Sequence, residues 1–480
     1  MKLNYRLLMA AVAAMFLMMA CEPDDELLTD SGARLGFSSD TVSFDTVFST
    51  LGSITRDFRI YNPHDKKIEI SNLRLAGGEQ SVFSLNVDGE AGSSFQNLEI
   101  DANDSLYVFV RVAIDPTEEN LPFVIKDSVM FETNGNYQDV NLMAWGQNAH
   151  FHKNVLLQGQ HVWKADKPHV VYGYAIVSDT LNSSLTIEAG AQVYMHNDAL
   201  LAADSGATLR IMGAPDKPVK IQGDRLEDFY DDVPGQWGSV WLTAGSKENE
   251  IHHAEIRNGI IGVRVDTLGN STQPTLTITN SIIDNMQGYG LLAQGSHVKA
   301  RNTVFSNCGE HAVILNIGGN YDFRHCTIGN YWSGNSRRTA SLALNNFYIF
   351  EGDTIARDLE NVYFGNSIIY GDREEELVLS QTTQADFNYL FENSVIKTQQ
   401  DLSDEAHFKD CINEDPLFRN PDDFEFQLDT LISPAIDHGA MKVINETDDF
   451  DLSKDLVGNP RTADENPDAG AYEFVEGEEE

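Results

Sequence analysis

The 480-residue chain carries 33 basic and 74 acidic side chains, a formal charge of −41, and is 41% apolar with 10% aromatic residues. The apolar content suffices for sizeable cores and excludes wholesale disorder, while the length exceeds one ordinary domain. Such a charge excludes a nucleic-acid binder, which needs a basic footprint on phosphate.

Lys2 and Arg6 precede fourteen uninterrupted apolar residues, Leu7 to Ala20, which end at Cys21. At about 1.5 Å per residue the run is too short to span a ~30 Å membrane core, and residues 1–20 read as a secretory signal peptide. Met18-Met19-Ala20-Cys21 resembles a bacterial lipobox, which implies that Cys21 is lipidated. Glu22-Pro23-Asp24-Asp25-Glu26 resembles the surface-export signal of Bacteroidota lipoproteins. Residues 21–34 are then a tether, and the resemblance implies anchoring in the outer membrane, facing the cell exterior. Cys308, Cys326 and Cys411 remain, an odd number without zinc-ligand spacing, so no disulfide framework is expected.

From residue 35 to 150, short alternating runs such as Val42 to Phe48 and Ser105 to Val112 are separated by turn signals at Asn62-Pro63, Gly77-Gly78 and Asn134-Gly135. This pattern predicts an antiparallel β-sandwich. The stretch from Thr55 to Leu75, with DSLYVFVRV and QDVNLMAWGQN after it, resembles the Ig-like modules that precede larger domains in surface proteins.

Beyond residue 151 a repeat emerges. Its best copies are IHHAEIRN (251–258), ITNSIIDN (278–285), ARNTVFSN (300–307) and FRHCTIGN (323–330), with a weaker fifth at 364–371. Starts lie 27, 22, 23 and 41 residues apart. A period near 22 containing two or three short strands is the length of one coil of a parallel β-helix. Asn258, Asn285, Asn307 and Asn330 each close a copy, which predicts a ladder of amides at a bend, where Asn tolerates left-handed geometry.

Near the C-terminus stand Asp415-Pro416, Ser433-Pro434-Ala435-Ile436-Asp437, Gly458-Asn459-Pro460-Arg461 and Asp468-Ala469-Gly470-Ala471-Tyr472-Glu473. They resemble the closing segment of choice-of-anchor-type β-helix proteins, and SLTIEAGAQVYM and ATLRIMGAPDKPVKIQG resemble the opening coils of bacterial β-helix lipoproteins. The resemblance covers roughly residues 155–475. It implies an all-β chain: a right-handed parallel β-helix over 155–400, with 401–480 closing it.

Aligned as columns, the copies place His252, Thr279, Arg301 and Arg324 at one position and His253, Asn280, Asn302 and His325 at the next. No column pairs two carboxylates, as a glycoside hydrolase would need, and no catalytic residue is assigned. Arg301 and Arg324 fall on adjacent coils about 4.8 Å apart, a spacing that suits a carboxylate or sulfate if they are not paired with surface acids. The gap before the fifth copy exceeds one period and carries Trp332, Arg337, Arg338, Tyr348 and Phe350, residues suited to hold a glycan or peptide on a projecting loop. Alternatively the excess folds into a degenerate coil with Phe347 and Ile349 pointing inward. The acidic loops at 227–232 and 448–451 offer closely spaced oxygen ligands that suit Ca²⁺ but match no Ca²⁺-binding motif, so no cofactor is expected and Ca²⁺ stands as an option without a motif behind it. A non-enzymatic binding or assembly module for a glycan or outer-membrane protein is the expectation. The alternative is a polysaccharide lyase or glycoside hydrolase.

Overall fold

The computed structural model describes residues 26–48, 55–113, 123–178, 182–226, 228–267, 273–334, 336–429, 431–445, 450–463 and 466–475. Cys21, the leader, most of the acidic stretch behind Cys21 and Asp448-Asp449 lie outside them. The chain divides after Asn148 into two compact units. Among the described residues no helix is long and apolar enough to cross a membrane.

The first unit is a sandwich of two five-stranded sheets. Alternation puts Phe58, Ile60, Val108 and Val110 from one sheet and Ile68, Ile70, Phe131 and Leu142 from the other into a shared core. One detail departs from an all-antiparallel expectation: Thr41–Phe48 runs parallel to Asn136–Gln147, along Asn141 to Gln147.

The second unit is a parallel β-helix built from three sheets. One coil shows the path. Asn249–His252 lies in sheet one, Ala254–Arg257 in sheet two and Gly259–Val265 in sheet three. Single residues turn the two corners, His253 at φ 45° and Asn258 at φ 65°. At the first corner Asn280, Asn302, His325, Asn366, Asn393 and Asp410 repeat the left-handed φ, between 45° and 50°. Asn, Asp and His adopt that region far more readily than branched residues, which explains the polar columns.

Inside, like stacks on like. In sheet two Ile256, Ile283, Phe305, Ile328 and Ile369 are successive register partners, including the weak fifth copy. In sheet one the inward column runs from Trp163 through Ile187, Ile211, Ile251, Ile278 and Ala300 to Phe323, Phe364, Phe391 and Phe408. The last four rings stack with centroids 4.7, 5.0 and 5.5 Å apart. Burying a Phe or Ile side chain contributes about 1.5–3 kcal/mol, so this continuous core carries the fold.

The C-terminal segment takes an unexpected place. The coils end at Ile412, which bridges to Val395. Residues beyond fold back along the outer face of sheet two, burying Phe426, Ala435, Ala471 and Tyr472 against Val304, Ile368 and Val395. A Cβ on Gly329 would lie 2.3 Å from the Phe426 ring, so the strand there must be bare. The segment closes the flank of the helix, not only its end, because the outward side chains of sheet two are apolar.

Candidate functional site

The ladder divides between the two corners. Asn285 donates from Nδ2 to Oδ1 of Asn258 at 2.8 Å, as a ladder requires. Asn307 instead accepts from the Tyr331 amide at 3.0 Å and donates to the Pro421 carbonyl at 3.3 Å. Asn330 accepts from the Cys308 amide at 2.8 Å and donates to the Glu310 carbonyl. The amide-to-amide ladder expected through Asn307 and Asn330 is therefore corrected: backbone groups just past the corner of the neighbouring coil, and of the C-terminal segment, take those bonds. The first corner ladders instead, with Asn302 donating to Asn280 at 3.1 Å and Asn280 to Nε2 of His253 at 3.2 Å.

The arginines proposed as ligand contacts are turned to protein partners. Arg301 is 2% exposed, and its Nη2 reaches Oδ2 of Asp322 at 2.7 Å. Arg324 donates to the other oxygen of the same carboxylate at 2.9 Å and to the Val443 carbonyl at 3.0 Å. They are register partners, as the columns predict, but Asp322 sits between them as the local anion. Arg337 is buried and donates to both oxygens of Glu376, at 2.9 and 2.7 Å, and to Asp372. Burial opposes charge on Arg337, but hydrogen bonds and attraction from Glu376 outweigh it and raise its pKa. Trp332 is buried too, leaving Arg338 exposed and Tyr348 half-buried. The expectation that Trp332 and Arg337 form an exposed contact surface is corrected, because Glu376 is fully buried and needs a cation.

What projects is a hairpin. Phe347–Phe350 pairs antiparallel with Asp353–Ala356 around Glu351 and Gly352, which have φ of 51° and 93°. Two positive φ values in a two-residue loop are the type I′ turn that suits strand twist. Tyr348 stands opposite Ile355, and Ile349 and Phe350 are 61% and 59% exposed. The excess is thus neither a degenerate coil nor a loop around Trp332. The signal for it in the sequence was two short β-prone runs, FYIF and DTIA, flanking the two-residue Glu351-Gly352 turn.

At the foot of the hairpin lies a cleft of about 620 Å³. His297 and Asn320 form part of its wall, and Arg357, Asp358 and Glu360 supply charge. Arg357 donates from Nη1 to the Thr267 hydroxyl at 3.1 Å. Asp358 receives the amide of Asp386 from the next coil at 2.9 Å. Burial lowers the pKa of His297, helped by Lys299 and opposed by Asp322 and Glu360. A Cβ on Gly319 would lie 2.4 Å from the Ser296 carbonyl, so glycine lets neighbouring turns close up beneath the cleft. One cation, two carboxylates, an amide and an imidazole can exchange hydrogen bonds with a polar ligand. Asp358 and Glu360 are exposed, whereas a general acid is ordinarily held in an enclosed environment. No residue of this cleft was singled out by the repeat columns, because the turns that line it differ in length from coil to coil.

A family described as a right-handed β-helix region matches residues 262–408. No curated protein matches the chain. Similar solved structures include a family 123 glycoside hydrolase from Clostridium perfringens, 9% identical with a TM-score of 0.18, over 27% of this chain and 30% of that one. Vibrio cholerae VesB protease is 10% identical with a TM-score of 0.17, over 24% and 31%. A protein of unknown function from Porphyromonas gingivalis W83 is 11% identical with a TM-score of 0.18, over 26% and 58%. The chain thus spans less than two thirds of each.

Proposed function

We propose that this chain is a lipid-anchored, non-enzymatic binding module of a bacterial outer membrane of the Bacteroidota type, displayed outward, with the hairpin at 347–356 and its cleft as the contact surface. The single observation that carries this reading is the pair Ile349 and Phe350, held in solvent on a hydrogen-bonded hairpin beside a polar cleft. Large apolar side chains at a projecting tip are the usual anchors of a protein interface. An outer-membrane protein partner therefore fits best, with the cleft taking polar groups at the rim.

A photo-crosslinking residue at Phe350, introduced in intact cells, tests the contact. A discrete adduct that disappears when Ile349 is replaced by Ser is the expected result; no adduct at any growth stage sinks the interface. Cys21→Ser should shift the protein from the detergent phase to the soluble fraction, and protease shaving of intact cells should digest the wild type.

A second reading, a carbohydrate-active enzyme, draws on Asp358 and Glu360 lining the same cleft. Time-dependent release of reducing ends or unsaturated products from a polysaccharide, abolished by Asp358→Asn, would establish it and overturn the non-enzymatic reading.

A further inference from the structure

The opening coil gathers three imidazoles and a carboxylate. His150 and His152 point to one side of the strand His150–Leu157, and His169 is the register partner of His150 on His169–Val177. Asp166 sits on the turn between, with its carboxylate oxygens 3.1 and 3.2 Å from Nε2 of His150. Nε2 of His152 lies 3.0 Å from Nδ1 of His169. The candidate ligand atoms of His150, Asp166 and His169 all fall within 4.8 Å of one another.

The protons can be placed. Nε2 of His169 is 3.0 Å from the Lys164 carbonyl, which can only accept, so that nitrogen carries the hydrogen. Nδ1 of His169 therefore holds a lone pair directed into the cluster, oriented by a backbone carbonyl in the manner of metal-ligating histidines. Trp163 stacks on His152 and His169 with centroids 4.2 and 4.8 Å away, fixing both rings. Burial lowers both histidines to about 4, so both are neutral and able to ligate at neutral pH.

We infer that His150, His152, Asp166 and His169 form a binding site for a divalent transition-metal ion of the zinc class. With metal–nitrogen bonds of about 2.0–2.1 Å, ligand atoms in a tetrahedron stand about 3.3 Å apart. The observed separations of 3.0 to 3.2 Å within each pair are near that value; the atoms of His150, Asp166 and His169 lie within 4.8 Å, so the two pairs must draw together by roughly 1.5 Å on binding, with His152 following His169. The ion replaces the hydrogen bond between His152 and His169, and His152 keeps its single proton on Nδ1. A metal here ties the strand His150–Leu157 and the turn at 164–168 to the strand His169–Val177, pinning the start of the helical core beneath Trp163.

The test is calorimetric titration of Zn²⁺ into the untagged, chelator-treated full chain at neutral pH. One equivalent should bind, with a rise in melting temperature on saturation. Asp166→Asn and His150→Gln, both partly exposed positions that leave the core intact, should each weaken binding at least tenfold. His196→Gln, a histidine paired with Asp224 elsewhere on the helix, should leave it unchanged. A wild-type chain that takes up no Zn²⁺ overturns the site. So does binding that survives Asp166→Asn and His150→Gln, or that follows His196→Gln.

Discussion

Arg461 donates from Nη2 to Oδ1 of Asn302 at 3.1 Å, joining two residues 159 positions apart. The same guanidinium, fully buried, donates from Nη1 to Glu473 at 2.6 Å and from Nη2 to the Gly470 carbonyl at 3.0 Å. Burial pushes the Glu473 carboxyl upward, while Arg461 pulls it down. The Gly-Asn-Pro-Arg and Asp-Ala-Gly-Ala-Tyr-Glu motifs thus form one clamp that fastens the C-terminal segment to a helix corner. Arg461→Ala leaves Glu473 buried without its cation, and a loss of about 3–5 kcal/mol is expected in denaturant unfolding. Loss below about 1 kcal/mol would show that the clamp is replaceable.

The two asparagine corners should respond differently. Asn302 donates to Asn280 and to the Lys454 carbonyl, and accepts from Arg461. Both asparagines hold a left-handed φ, 45° and 47°, so that cost of Ala is common to the two, and the three bonds of Asn302 at about 0.5–1.5 kcal/mol each put Asn302→Ala about one bond above Asn307→Ala. Asn307→Ala removes two bonds, about 1–3 kcal/mol before that common backbone cost. Equal losses at both positions would contradict this ranking.

Arg337→Ala tests the correction at the loop after Asn330. Glu376 would keep the Ser341 amide and hydroxyl bonds, at 2.7 and 2.8 Å, but lose the Arg337 guanidinium that balances its charge. Breaking such a buried pair should destabilise the helix by about 3–5 kcal/mol. A surface arginine would give about 0.5 kcal/mol or less, and that outcome would restore Arg337 as a ligand contact.

The hairpin should be separable from the fold. Ile349→Ser with Phe350→Ser removes two exposed side chains and should change stability by no more than about 0.5 kcal/mol. A larger loss, measured by thermal unfolding, would mean that the tip packs on something within the chain.

Acid should weaken the first coil. His152 and His169 titrate near 4 when folded and near 6.5 when free, because burial disfavours the charged rings. The unfolded chain then binds more protons between those values, so stability is full above pH 6.5 and falls toward pH 4. With His150 and Asp166 facing the pair, a loss of about 2–4 kcal/mol is expected, at about 1.4 kcal/mol per pH unit per group, discounted for partial exposure. Unfolding in the presence of a chelator, wild type against His152→Gln, measures it; identical pH profiles would refute it.

Much of the architecture is local and therefore legible. A period near 22, one-residue corners with Asn or His, and apolar residues at a fixed repeat position follow from strand alternation and left-handed preferences, which act within a few residues. The register of His252, Thr279, Arg301 and Arg324 was readable for the same reason. The hairpin at 347–356 was missed, although its two-residue Glu351-Gly352 turn is a local signal.

The sequence by itself determined the coils, the columns and the inward faces, because those depend on period and on single-residue backbone preferences. Only the tertiary structure decided what the polar columns touch. Asp322 claims both Arg301 and Arg324, Glu376 draws Arg337 inward from 39 positions away, and the C-terminal segment takes the amides of Asn302, Asn307 and Asn366. Asp322 lies on the same strand as Arg324, but the partners of Arg337 and of the corner asparagines are chosen by how the chain after Asn330 and the returning segment lie across several coils. A buried charge takes whichever opposite charge that path delivers, and no repeat position encodes the path.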